Sequence, residues 1–108
     1  MKISYDWSQL TDVAENNLIS ANESILYQNF PNPFSHNTSI SFYLEEAAQV
    51  KLKVYASDGH LVSTILDSKQ AKGEHQLTFD AVDLKAGIYF YQLDVEGLTE
   101  VRKMVVFK

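Results

Sequence analysis

The chain has 108 residues, no cysteine, and 9 Lys+Arg against 14 Asp+Glu, a formal charge of −5. One domain with its own core is expected at this length, and the lack of cysteine excludes a disulfide framework, a thiolate zinc site and a cysteine nucleophile. The acidic balance argues against nucleic acid or an anionic membrane surface as partner, because both are bound through basic patches.

The acidity is concentrated early: residues 1–48 carry one base, Lys2, against Asp6, Asp12, Glu15, Glu23, Glu45 and Glu46, while the remainder carries eight of each sign. Asp6 stands where a signal peptide would have its apolar core, and no run approaches the roughly 18 apolar residues of a membrane span, so direct membrane insertion is not expected. The chain is therefore either cytoplasmic or a piece of a longer exported protein. Ile3, Tyr5 and Trp7 alternate as a short strand, and residues 12–24, rich in Asn, Ser and Glu, read as linker. This divides the chain into an acidic linker or upstream tail, 1–24, and a folded domain, 25–108.

From Ile25 the texture changes to short runs of period two, the mark of half-buried antiparallel strands. Residues 25–28 read as an edge strand, followed by strands at 40–44, 50–55, 61–66, 75–79, 88–95 and 98–107. Between the first two lies Asn29-Phe30-Pro31-Asn32-Pro33-Phe34, which holds both prolines of the chain. Two fixed φ angles and two missing donors make it a stiff extended loop, with the phenylalanines placed to plug the end of a core. Asp58-Gly59 predicts a type I′ turn closing a hairpin over 50–66, and Glu96-Gly97 does the same for the last two strands. Lys72-Gly73 and Ala86-Gly87 open the strands that follow them, and residues 81–85 form one short turn capped by Asp80. Seven short strands without a sustained helical period predict an all-β fold, an immunoglobulin-like antiparallel β-sandwich. Leu84, Gly87 and Tyr89, at the start of the penultimate strand, have the spacing of a tyrosine corner, in which the hydroxyl bonds back to upstream backbone.

Chemistry is sparse. His36, His60 and His75 are isolated and read as turn histidines, since zinc sites usually present a close ligand pair. Asp80 and Asp83 are spaced to share a calcium ion, but equally to cap a turn, which is the reading adopted. Glu45 and Glu46 point to opposite faces of a strand, so they end it and do not form an acid/base pair. With no nucleophile elbow and no phosphate loop, no catalytic residue, metal or cofactor is assigned. Tyr43, Tyr55 and Phe90 lie on the less apolar faces of their strands and are candidates for a carbohydrate platform. The last strand, with Arg102, Lys103 and Lys108 among apolar residues, offers its backbone for pairing with a receptor strand if it lies at a sheet edge.

The ordered motifs resemble one family, the type A C-terminal sorting domain of the type IX secretion system of Bacteroidota. The resemblance runs from Leu26-Tyr27-Gln28-Asn29-Phe30-Pro31-Asn32-Pro33-Phe34 through Val50-Lys51-Leu52-Lys53-Val54-Tyr55, Asp58-Gly59 and Ala86-Gly87-Ile88-Tyr89 to Lys103-Met104-Val105-Val106 and Lys108. It departs at His60 and at Ser35-His36-Asn37, both in loops. It implies a non-enzymatic address label that passes through the periplasm and takes an upstream cargo domain to the cell surface or beyond. Its implied partners are the translocon or shuttle proteins and a sortase that cuts the label off, here expected between Asp12 and Ser24. By resemblance, Lys103, Met104, Val105, Val106 and Lys108 are receptor-recognition residues; Pro31, Asn32, Pro33, Phe34, Gly59, Gly87, Tyr89 and Leu93 belong to structural motifs. The alternatives from the residues are an immunoglobulin-like structural or carbohydrate-binding module retained on a surface enzyme, and a domain of flagellar hook-cap type.

Overall fold

The computed structural model describes residues 24–108. The expected strand at Ile3, Tyr5 and Trp7 lies outside the described residues, as does the expected linker and cleavage region over 12–24 apart from Ser24, which is the first residue of the first strand. Seven strands follow in order: β1 (Ser24–Leu26), β2 (Asn37–Leu44), β3 (Ala48–Ala56), β4 (Leu61–Gln70), β5 (Gly73–Asp80), β6 (Gly87–Val95) and β7 (Leu98–Val106). β1 is shorter than the 25–28 expected, because its pairing with β2 runs only over Ser24↔Leu44, Ile25↔Tyr43 and Leu26↔Phe42 before the chain turns into the proline loop.

The pairings between these strands are all antiparallel and make two sheets, β1-β2-β5 and β4-β3-β6-β7. This is the expected immunoglobulin-like sandwich. Its fourth strand pairs with the third, whereas in constant-type immunoglobulin domains the fourth joins the sheet of strands one, two and five. Alternation sets the core: Ile40, Phe42 and Leu44 of β2 face Val50, Leu52 and Val54 of β3 and Tyr89, Tyr91, Leu93 and Val95 of β6, all buried in one cluster. β4 is less regular, since two register shifts in its pairing with β3 break its alternation and leave its outer half exposed.

The turns separate into two kinds. Glu96 and Gly97 both have positive φ, 49° and 92°, and join β6 to β7 with Val95 opposite Leu98, the expected two-residue type I′ hairpin. The β3–β4 hairpin is present but its turn differs. Only Gly59 has positive φ, 97°, its N–H donates to the Ala56 carbonyl (2.9 Å), and the Ala56 N–H donates to the His60 carbonyl (2.9 Å). This is a three-residue loop closed by glycine, and Asp58 instead serves as an acceptor for the His60 N–H (3.1 Å) and sits 2.6 Å from His60 Nδ1. After β5, Leu84 N–H donates to the Ala81 carbonyl and Asp80 accepts from Val82 N–H, a single capped turn as expected. Tyr89 donates its hydroxyl to the Lys85 carbonyl at 2.8 Å, so the tyrosine corner is formed.

Candidate functional site

Among the described strands β7 lies at the sheet edge, with β6 as its one strand neighbour. Its even-numbered residues face the second sheet: Met104 and Val106 are fully buried, paired with Tyr89 and Gly87. Its odd-numbered residues face outward, Lys103 opposite Phe90 and Val105 opposite Ile88.

The backbone edge of β7 is already occupied. The Gln28 side-chain amide donates to the Lys103 carbonyl (2.8 Å), and Asn32 Oδ1 accepts from the Val105 N–H (2.9 Å). Phe34 N–H donates to the Val105 carbonyl, and Phe107 N–H donates to the Phe34 carbonyl, a short parallel bridge along the strand. The expected free edge for a receptor strand is thus corrected over 103–107: the chain covers its own edge with the proline loop, a standard protection against edge pairing. Phe34 is the plug, buried in the core, whereas Phe30 stands 79% exposed.

The loop is fixed to the core by a buried polar node. Tyr91 Oη donates to the Tyr27 carbonyl (2.7 Å) and accepts from the Asn29 N–H (2.7 Å). Burial pushes the Tyr91 phenol above its ordinary pKa, and the Asn29 bond and the Arg102 charge oppose that shift. Asn29 Nδ2 donates to Thr38 Oγ1 and to the Pro31 carbonyl, and Thr38 Oγ1 donates to the same carbonyl, so buried Asn29 and Thr38 are both partnered. Nearer the start of β7, Glu100 accepts the Leu26 N–H (3.0 Å) and Arg102 Nε donates to the Leu26 carbonyl (2.6 Å). Two charged side chains therefore act as a ladder rung between β1 and β7, one from each sheet.

A family model described as the secretion system C-terminal sorting domain matches residues 28–107. The chain belongs to that family. The family is not itself catalytic, and membership makes the chain a C-terminal sorting signal for cargo of the type IX system, destined for the cell surface or the extracellular space. Among solved structures, the crystal structure of dimeric latent PorU from Porphyromonas gingivalis is similar with a TM-score of 0.66 and 21% identity, over 89% of this chain and 10% of that one. At that identity the likeness concerns the fold, and the sorting domain spans about a tenth of that protein's length. No curated protein matches.

The residues singled out in the sequence fall into distinct places in the sorting domain. Met104 and Val106 are core; Lys103 and Val105 are outward; and Lys108 folds its ammonium onto the carbonyls of Ala81 (3.0 Å), Ser35 (3.4 Å) and Val82 (3.4 Å). Leu93 is core, opposite Leu52 and Glu100. Gly87 opens β6 opposite Val106 with φ 154°, Gly59 closes the hairpin, and Pro31 and Pro33, each after a cis peptide bond, flank Asn32 at the β7 edge. Tyr55 and Phe90 are direct cross-strand neighbours, but Tyr43 lies in the other sheet, bonded to Glu45, so the three rings make no common platform. His36, His60 and His75 are apart from one another, His75 stacked on Phe42 at 5.0 Å, and no group of three ligating side chains gathers among the described residues.

Sequence pattern alone does not mark Gln28 or Tyr91 as anchors. For Glu100 and Arg102 a signal existed: they share parity with buried Met104 and Val106, and a charge on an inward parity needs a partner.

Proposed function

We propose that residues 25–108 are the address of a larger cargo protein, joined to it through residues 1–24, and that the type IX machinery carries the folded label from the periplasm across the outer membrane. The partners are the translocon or shuttle proteins of that system and a surface sortase, which cuts between Asp12 and Ser24, ahead of the first strand. Lys103 and Val105 are the members of the recognition set offered to a receptor; Met104 and Val106 act by holding the strand in place, and Lys108 by tying the chain end to the loops at 35 and 81–82. The observation that carries this reading is the family match, which spans β2 to β7 without interruption.

The test is to fuse residues 24–108 behind a periplasmic reporter in a host that has type IX secretion. Reporter at the cell surface or in the medium is expected; reporter held in the periplasm overturns the reading. Mass spectrometry of a fusion to residues 1–108 locates the cut, and a cut within the β-sandwich overturns its placement.

A further inference from the structure

The outer face of the four-stranded sheet divides into two unlike halves. In the half nearer the tyrosine corner, register sets Leu61, Tyr55, Phe90 and Lys103 in one row across all four strands, with Ile88 beside Val105 next to it. The flanking row on the other side contains Lys53, Gln92 and Val101. Leu61, Ile88 and Val101 are 49%, 43% and 52% exposed, on a face where alternation would place polar groups. The following row, Asp67, Lys51, Asp94 and Thr99, is polar and of mixed sign.

Charge on the apolar half has one sign. Lys53 and Lys103 stand there without a carboxylate in their rows, and neither forms an ion pair with the described residues, although residues 24–108 together carry ten acids and eight bases. A local positive face on an acidic domain suits a surface whose carboxylates lie opposite the two ammonium groups. A second copy fits poorly, since two such faces apposed about a two-fold axis bring lysine against lysine. An anionic lipid surface fits poorly too, because two lysines must overcome the repulsion of the acidic domain behind them. Aliphatic Leu61, Ile88, Val101 and Val105 gain by displacing water against an apolar protein surface, not against sugar hydroxyls.

We propose that this face docks the sorting domain onto its export machinery, through a protein surface that is apolar at its centre and carries carboxylates opposite Lys53 and Lys103. The inference rests on the sorting function and adds which surface is read: the outer face of β3, β4, β6 and β7, not the β7 edge.

The experiment uses residues 1–108 behind a reporter in a type IX host, with Ile88→Glu, Val101→Glu and the double reversal Lys53→Glu/Lys103→Glu, and Ile25→Ser on the opposite sheet as control. Thermal unfolding of each purified domain checks folding, and the lysine reversal, which touches no core group, carries the test if a glutamate variant unfolds. Each folded face variant is expected to lower the secreted fraction about tenfold, as the loss of one interface hot spot does, while Ile25→Ser exports normally. Wild-type export of the folded face variants overturns the docking face and leaves the sorting function standing; failure of the unmodified chain to export overturns the sorting function itself. A photo-crosslinker at position 101 is expected to capture a type IX component, and to lose it in the lysine reversal. Adducts confined to a second copy, to residues 1–23 or to lipopolysaccharide overturn the proposal.

Discussion

A phenol buried between two sheets must satisfy both its proton and its lone pairs, and Tyr91 does so entirely with backbone, giving to the Tyr27 carbonyl and taking from the Asn29 N–H. Replacing it by phenylalanine keeps the ring but leaves two backbone groups without partners. Tyr91→Phe is expected to cost about 2–4 kcal/mol in urea unfolding, against about 1 kcal/mol for Tyr89→Phe, which loses one bond to Lys85. Amide exchange at Asn29 should accelerate in the first variant and stay unchanged in the second. Asp58 supplies a different kind of test. The His60 N–H, and then the His60 ring, hold its carboxyl below the ordinary carboxylate pKa, so between the two values the unfolded chain binds more protons and stability rises with pH. The stabilisation is present above the ordinary value and lost as pH falls through the lowered one. The gap in denaturation midpoint between wild type and Asp58→Asn should therefore be open at neutral pH and close in acid; a gap independent of pH would remove the charge from the account.

At the level of elements, the distinctive device is the sealing of β7 by the segment that precedes β2. Glu100 and Arg102 bind the two polar groups of a single peptide residue, Leu26, so their effects should be coupled. Glu100→Ala and Arg102→Ala are each expected to cost about 1.5–3 kcal/mol, with the double variant costing less than their sum, because once one clamp is lost β1 frays and the other has little left to hold. Strict additivity in a double-mutant cycle would mean that the two clamps act independently and that β1 does not fray when one is lost. This device also marks the limit of what the sequence reveals. The strands and their buried faces were legible in the alternation of Ile40, Phe42 and Leu44 or Val50, Leu52 and Val54, since a period of two encodes which side is buried. Contacts from Gln28, Asn32 and Phe34 to a strand 71–75 residues later leave no periodic trace. They appear in the sequence only as a stiff proline segment whose purpose is set by topology. The Asp58-Gly59 turn departs from type I′ for a related reason: the dipeptide fixes where the chain reverses, while the pairing register, shifted at Val62 and Ile65 of β4, goes with a three-residue loop.

For the molecule as a whole, the division of β7 into core and surface residues decides how any export defect should be interpreted. Met104 is fully buried and packed within the single core that joins both sheets, so truncation leaves a cavity that a small sandwich tolerates badly. Met104→Ala is expected to lower stability by about 3 kcal/mol and the melting midpoint by roughly 15 °C, a large part of the margin of a domain this size. Lys103→Ala, exposed on the same strand, should stay within about 0.5 kcal/mol of wild type. Deleting residues 103–108 removes Met104 and Val106, uncovers Phe34 and releases the Lys108 tie to Ala81, so it should abolish cooperative unfolding altogether. Loss of export on such a deletion would then follow from loss of the fold, whatever the receptor touches. Calorimetry of the three variants beside their secreted fractions separates the two causes: export that follows melting temperature assigns the C-terminal motif to folding, and an export defect in Lys103→Ala at unchanged melting temperature assigns its outward half to recognition.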